Sequence, residues 1–435
     1  LFIFSIPVPE RIPDVFQVSH HFTGATYGVL CKAKRKCALH VWDHCVSFRE
    51  MTVFLSSAVS FDSTFVNTTL ISLGHLACVL IEHHADVVLP CAEYFNPGWE
   101  VELGTAEGAL QHRRAFSRKI DPVVNGITNM EKYKPIEAIK TKTPTVVMLS
   151  HIRYVKDIKT AIMATDLIVN KWGFTDYRLH IYGDMERAPA YASECQEVIA
   201  SKGLREHVVL KGLGNPSVVL QDAWLFMNSS ISEGLPLAMG EAALTGAPVV
   251  CTDVGASFCV VTDRATGKKF SEVVAPNDYD SLARAQLRVL ALLENWSPFA
   301  EDKEGEVVPK LEFRPTPEQV QAISQRMYDK AEQRRRFGML GRSNVLNSFS
   351  SHRYLREHEQ MLWLGKYQSH SYIARSAVAS SNSSGVLVKE KKTGSQIYIN
   401  LPNTPNSVED LMPPTSWRAQ RDSRHASSSG AQTPC

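Results

Sequence analysis

A chain of 435 residues, 44% hydrophobic and 21% charged, is long enough for two domains with sizeable cores. Its formal net charge of +2 at pH 7 is too small to imply nucleic acid or an anionic membrane as partner. Nine scattered cysteines without a C-x-x-C pair argue against a disulfide scaffold and for reduced thiols in a cytoplasmic protein.

The chain opens on Leu1 in the middle of apolar sequence, which reads as an N-terminally truncated chain. Any membrane association is left to sequence outside it, because no run of 18 or more apolar residues offers a span. Residues 40–42, 64–66 and 85–89 are expected strands, and 70–82 an expected helix. The apolar region 70–89 is interrupted by His75, Glu82, His83, His84 and Asp86, the pattern of a buried amphipathic helix. His83 and His84 point about 100° apart on a helix and suggest no metal site. Residues 1–140 are therefore read as a partial α/β domain, in which the turn pair Asn125-Gly126 begins the interdomain connection.

From Pro144 short apolar runs alternate with helical patterns, the signature of parallel βαβ units. Strands are expected at 145–149, 179–182, 208–210, 223–227 and 248–252. Helices are expected at 157–171, 191–200 and 235–245, the last stopped by Gly246. This makes 141–295 a doubly wound domain. Residues 296–315 read as an acidic insertion loop. Thr316, Pro317 and Gln319 then open a helix with a capping box, and a second helix is expected near 353–364. The run Arg334-Arg335-Arg336 reads as a solvated helix face. Residues 316–368 complete the folded part, and 369–435, poor in large apolar residues, are expected to be disordered. Four N-x-S/T sequons, at Asn67, Asn228, Asn295 and Asn382, read as chance matches, with Asn228 at a buried strand end.

Ligands of an open parallel sheet bind at the carboxyl ends of its strands, where helix N-termini converge. There the chain has Ser232-Glu233-Gly234-Leu235-Pro236-Leu237-Ala238-Met239-Gly240-Glu241. Gly234 lets the backbone approach a ligand, and the N–H groups of the first helical turn after Leu235 and Pro236 suit a diphosphate. Glu233 and Glu241 can each accept hydroxyls of a sugar or ribose. Alone, two glutamates at this spacing are more often solvated surface residues.

The pair, followed by Gly246-Ala247-Pro248, resembles the E-x7-E region of family 4 retaining glycosyltransferases, which have the GT-B fold. Val124-Asn125-Gly126-Ile127 resembles that family's interdomain segment. Ser230-Ile231-Ser232-Glu233-Gly234-Leu235-Pro236-Leu237 and Val155-Lys156-Asp157-Ile158-Lys159 are similar to its PelF-like branch. The resemblance implies two Rossmann-like domains facing across a cleft, the first incomplete here. It implies transfer of a hexose from a nucleotide-sugar, UDP-glucose favoured, to a glycan or other hydroxyl acceptor, without cofactor or metal.

By the same resemblance Glu241 holds the nucleotide ribose, Glu233 the donor-sugar hydroxyls and Lys156 the diphosphate. Physically, charge developing on the leaving diphosphate has to be met by fixed cations or N–H donors. Where the family usually has an arginine five positions before that lysine, this chain has His151, with Arg153 two residues on. Asn125 and Gly183 complete the expected donor side. Asp43-His44-Cys45 and Arg49-Glu50 resemble the stretch that presents a histidine, here His44, to the donor sugar. Lys156 also reads as a surface lysine at a helix start, and His44 as a hydrogen-bonded core histidine. Two other readings stand beside the enzyme. One is a non-catalytic nucleotide-sugar-binding remnant or scaffold, motivated by His151 and the truncated start. The other is a glycan phosphorylase of the same architecture, for which no pyridoxal-lysine context is seen.

Overall fold

The computed structural model describes residues 6–20, 23–44, 51, 55, 64–92, 119–137, 141–263, 266–293, 311, 312, 314–380, 386–389 and 396–399. The chain divides into two compact units, residues 1–123 with 355–434 and residues 124–354 with 435. The division falls before Asn125-Gly126, not at the expected 140/141 boundary.

In the first unit, β1 (Val15–Ser19), β2 (Ala38–Asp43) and β3 (Val87–Pro90) form a parallel sheet in that order. Helix α1 (Thr23–Arg35) joins β1 to β2, and α2 (Thr64–His84) precedes β3. Sequence reading missed β1 and placed a strand at 64–66, which is instead the first turn of α2. Three strand-like residues there lead without a break into apolar helical sequence, and the longer element prevails. The window Thr64–Ile81 has a mean hydropathy of 1.6 and is only 22% buried, so α2 is not the buried helix expected. By length and composition it is apolar enough to cross a membrane. Phe65, Leu73 and Leu76 are exposed on it.

His40 of β2 is fully buried, and a Cβ built at Gly365 would fall 2.7 Å from its ring, so the long helix near Gly365 lies tight against β2. Burial pushes the His40 imidazole down from 6.5 to about 4, opposed by Asp86. A depressed histidine contributes stability that is complete above its unfolded value and lost as pH falls towards the folded one. This unit is therefore expected to lose up to about 3 kcal/mol between pH 6.5 and 4. Urea unfolding at stepped pH checks this, with a His40→Leu variant expected to show a flatter profile across that window.

The second unit holds a six-stranded parallel sheet in the order β6-β5-β4-β7-β8-β9. Its strands are β4 (Thr145–Leu149), β5 (Arg178–Tyr182), β6 (Val208–Gly212), β7 (Leu225–Asn228), β8 (Val249–Thr252) and β9 (Glu272–Val274). Five were expected; β9 is too short to leave a periodic signal. The helices are α3 (Ile158–Asp166), α4 (Pro189–Ser201), α5 (Pro216–Val219), α6 (Leu237–Leu244), α7 (Ser257–Val261), α8 (Tyr279–Ala291), α9 (Pro317–Asp329) and α10 (Ala331–Ser348). Asp157, at φ 44°, caps α3 by accepting from the Thr160 amide, and Thr316 with Gln319 forms the predicted capping box of α9. Val146, Met148, Leu179, Ile181, Leu225 and Met227 of the sheet are buried in one core with Ile158 and Ile162 on α3 and Leu282 and Leu287 on α8, two helices that pack against each other. The strand order reverses between β4 and β7.

Arg334 departs from the solvated face expected for it: it is 1% exposed, stacked 4.8 Å over Trp224. Its guanidinium donates to the Met327 carbonyl at 2.7 Å and to that of Leu290, in the last turns of α9 and α8. A cation at two helix C-termini meets orphan carbonyls and the negative ends of both dipoles, which explains its burial. Arg335 and Arg336 are exposed, as expected.

Helix α11 (Ser351–Ser380) starts where the second expected C-terminal helix lies and runs past 368, with its residues from Leu355 onward in the first unit. Beyond it β10 (Val386–Lys389) pairs antiparallel with β11 (Gln396–Ile399). Cys45, Arg49, Glu50, Asn295, Asn382, most of the 296–315 insertion and most of the tail lie outside the described residues. Cys31, Cys37, Cys78, Cys91, Cys195 and Cys251 are free and buried, whereas Cys259 is disulfide-bonded, a departure from the all-reduced reading.

Candidate functional site

The reversal of strand order between β4 and β7 leaves a crevice at their carboxyl ends, because the chain departs from the two strands to opposite faces. The loop after β4 supplies a 3-10 turn, Tyr154–Lys156, and the loop after β7 supplies 229–236. They are tied together by backbone: the Ile231 amide donates to the Val155 carbonyl at 2.9 Å, and the Ser229 hydroxyl is 3.0 Å from the carbonyls of Lys156 and Asp157. This stitching brings together two residues 77 positions apart in sequence. Lys156 Nζ sits 2.7 Å from Glu233 Oε1, both side chains largely shielded from water.

Glu233 Oε1 also accepts from Ser230 Oγ at 2.6 Å and Asn228 Nδ2 at 3.2 Å. Asn228 in turn accepts from the Ser230 amide at 2.9 Å. A carboxylate oxygen with three donors is fixed in orientation, and its second oxygen is then directed by the first. The Asn228 sequon is thus an internal strut. Nothing in the sequence marked it beyond its place at a strand end, five residues before Glu233.

From below, β8 supports the loop. Thr252 Oγ1 donates to the Ser230 carbonyl at 2.6 Å and the Ala256 amide to the Gly234 carbonyl at 2.8 Å. A Cβ at Gly255, whose φ is +53°, would lie 2.0 Å from the Glu233 carbonyl oxygen, so only glycine allows this approach. Leu235 is buried and contributes only backbone towards a ligand. Pro236 is the N-cap of α6, so the helix starts at Leu237 and not at the expected 235. The leading N–H groups of α6 have no helical acceptors, the arrangement that attracts an anion.

Glu241 lies in the second turn of α6, half-buried. Burial raises its carboxyl above the usual range, and a hydrogen bond from the Tyr133 phenol counters that. Tyr133 was not singled out from sequence, since a tyrosine more than a hundred residues upstream carries no local signal.

The other expected donor residues are placed unevenly. His151, in the loop after β4, is held below its usual value, first by burial and then by Arg187 and Arg153, against Asp184. It is therefore neutral at pH 7 and does not replace an arginine's charge. Arg153 is exposed and begins the turn that ends at Lys156, whose amide donates to the Arg153 carbonyl at 2.9 Å. Gly183, after β5, packs backbone to backbone: an added Cβ would lie 1.9 Å from the Ser150 carbonyl oxygen. Asn125 is buried at the start of this unit, in a segment anchored by Arg353 Nη2 to the Val124 carbonyl at 2.8 Å. His44 belongs to the first unit, beyond β2, with its ring 4.1 Å from Trp42 and 5.4 Å from His20, centroid to centroid. Burial lowers its pKa, His20 adding to the effect. Among the described residues no cluster of three or more His, Cys, Asp or Glu has the makings of a metal site.

Residues 143–292 match the family described as glycosyl transferases group 1. Over 187 residues the chain is 30% identical to the poly(glycerol-phosphate) alpha-glucosyltransferase of Bacillus subtilis, a match covering 42% of this chain. The chain spans 25% of that relative's length. Among solved structures it is similar to Anabaena HepE in complex with UDP and glucose, with a TM-score of 0.55 and 13% identity. That match covers 80% of this chain and 77% of HepE. It is also similar to sucrose-phosphate synthase from Thermosynechococcus elongatus, with a TM-score of 0.54 and 16% identity over 81% and 73% of the two chains. The region that builds the Lys156–Glu233 site thus matches the group 1 glycosyltransferases, and the fold that carries it is GT-B.

Proposed function

We propose that this chain is a family 4, PelF-like glycosyltransferase that moves glucose from UDP-glucose to a glycan or other hydroxyl acceptor with retained anomeric configuration. The observation that carries the reading is the Lys156–Glu233 pair at the strand reversal, beside the N-terminus of the helix that bears Glu241. Lys156 and the α6 N–H groups meet the charge of the departing diphosphate, Glu233 takes donor-sugar hydroxyls through its second oxygen, and Glu241 takes the ribose diol. Gly234, Leu235 and Pro236 contribute backbone, and Arg153 supplies charge where His151 is neutral. Gly183 and Asn125 shape the donor side, while for His44, in the first unit, a donor-sugar contact is implied by the resemblance alone. The name of the Bacillus subtilis relative and the ligands held by HepE support glucose and UDP as the donor's parts. No cofactor is invoked.

The test is UDP release from UDP-glucose by the purified chain. Turnover is expected, and Glu233→Gln is expected to lower it by about 10²-fold or more, as when a single transition-state donor or acceptor is lost. The neutral His151 favours one second reading, a nucleotide-sugar binder without catalysis. Tight UDP binding with no turnover in the presence of varied glycan acceptors would select it.

A further inference from the structure

Residues 127–136 run along α6 as a strap with four attachments. The Ile127 amide donates to the Phe349 carbonyl at 2.8 Å, and a Cβ at Gly240 would fall 2.3 Å from Ile127 Cδ1, so the strap's start lies flat on the helix. Asn129, at φ 54°, turns the chain into the 3-10 turn Met130–Lys132, which delivers Tyr133. Arg342, from α10, donates to the Tyr133 carbonyl at 2.8 Å and to that of Leu244, clamping strap to helix. The Ile136 amide closes the strap on the Thr245 carbonyl at 2.8 Å. Attachments at Gly240, Leu244 and Thr245 bracket Glu241 from both sides.

Within that clamp Tyr133 is 8% exposed, and its phenol bears on the Glu241 carboxyl, countering the rise that burial causes. A buried tyrosine hydroxyl needs a partner, and a half-buried carboxylate needs a donor to offset lost hydration. Each therefore fixes the other. The strap's charged residues Glu131, Lys132 and Lys134 are exposed, and Arg342 is committed to carbonyls, so among the described residues Tyr133 is the side chain acting on Glu241.

We propose that Tyr133 is a positioning residue for the nucleotide: its phenol holds one oxygen of Glu241 so that the other is presented, ionised, to the ribose hydroxyls. The proposal rests on the reading of Glu241 as the ribose ligand. It also gives the strap, which lies wholly in the second unit, a purpose, since its attachments hold the phenol against α6. A phenol donating to the ionised carboxylate favours ionisation, against the burial that raises it. Removing the hydroxyl while keeping the ring thus makes two separate changes: Glu241 loses orientation, and it takes up a proton at higher pH.

The experiment is calorimetric titration of the full chain with UDP from pH 5 to 8, for the wild type, Tyr133→Phe and Glu241→Gln. Tyr133→Phe is expected to weaken UDP binding roughly 3- to 10-fold at pH 7.5, the net size of one ordinary hydrogen bond, because the phenol acts on the nucleotide only through Glu241. It is also expected to move the acid limb of the affinity profile to higher pH, with a melting temperature within about 3 °C of wild type. A merely structural tyrosine moves the melting temperature and leaves the acid limb in place. Unchanged affinity and acid limb in Tyr133→Phe, with binding lost in Glu241→Gln, overturns the positioning role alone. Wild-type UDP binding by Glu241→Gln overturns the ribose assignment, and this proposal with it.

Discussion

Replacing Lys156 by methionine is expected to raise the dissociation constant for UDP about 10- to 100-fold while leaving that for uridine within about twofold. The ammonium is held 2.7 Å from Glu233 and only partly open to water, where screening is weak. Methionine keeps the length and apolar stem of the side chain and removes only the charge. Glu233 retains Asn228 and Ser230 as donors, so its carboxylate is not left bare. Donor turnover is expected to fall further than binding, by about 10²- to 10³-fold, because charge on the diphosphate grows as the glycosidic bond breaks. Titration with UDP and uridine in parallel checks the assignment. Equal losses for both ligands would place Lys156 in a structural role.

The second large effect is on stability. Arg334→Ala is expected to cost the second unit roughly 3–5 kcal/mol, from lost charge-assisted bonds to two helix ends and the void left beside Trp224. For a unit of this size that corresponds to a fall of about 10 °C in melting temperature. Burial lowers the guanidinium from 12.5 to about 10, so it stays charged at neutral pH and no pH optimum should appear in the effect. Arg335→Ala and Arg336→Ala, on the exposed side of the same helix, are expected to change stability by no more than about 0.5 kcal/mol. Thermal unfolding of the three variants separates the buried arginine from its neighbours. Equal small effects would show that the Leu290 and Met327 carbonyls do not depend on Arg334.

What was legible in the sequence followed from periodicity. Strands β4 to β8 and helices α3, α4 and α6 are long enough, and regular enough in pattern, to be read directly, whereas the four-residue α5 was missed. Capping chemistry at Thr316 and the stop at Gly246 then set their ends. The carboxyl-end loops fell at the right places because strand and helix alternate, and with them came Lys156, Glu233 and Glu241. β9 escaped because three residues carry no period, and Thr64–Phe65–Val66 misled because β-prone residues also open an apolar helix. Arg334 was indistinguishable from Arg335 and Arg336, since helix phase within a basic run depends on which face the fold covers.

The donors to Glu233 and Glu241 were less visible for a different reason. Asn228 looks like half a sequon until β7 turns it towards Glu233, and Tyr133 becomes a partner only once the strap is laid on α6. Such pairings are set by tertiary contact, not by spacing. His151 was read as a departure from arginine; its neutral state follows from burial and from the positive charges beside it.

A donor site requires that the crevice between β4 and β7 hold a nucleotide. Calorimetric titration of the wild-type chain and Glu241→Ala with UDP tests this most directly. The account predicts saturable binding by the wild type, with a dissociation constant on the order of micromolar to millimolar, and its loss in a variant that still melts cooperatively. A folded wild-type chain that takes up no UDP, or a variant that binds it equally well, would contradict the donor site.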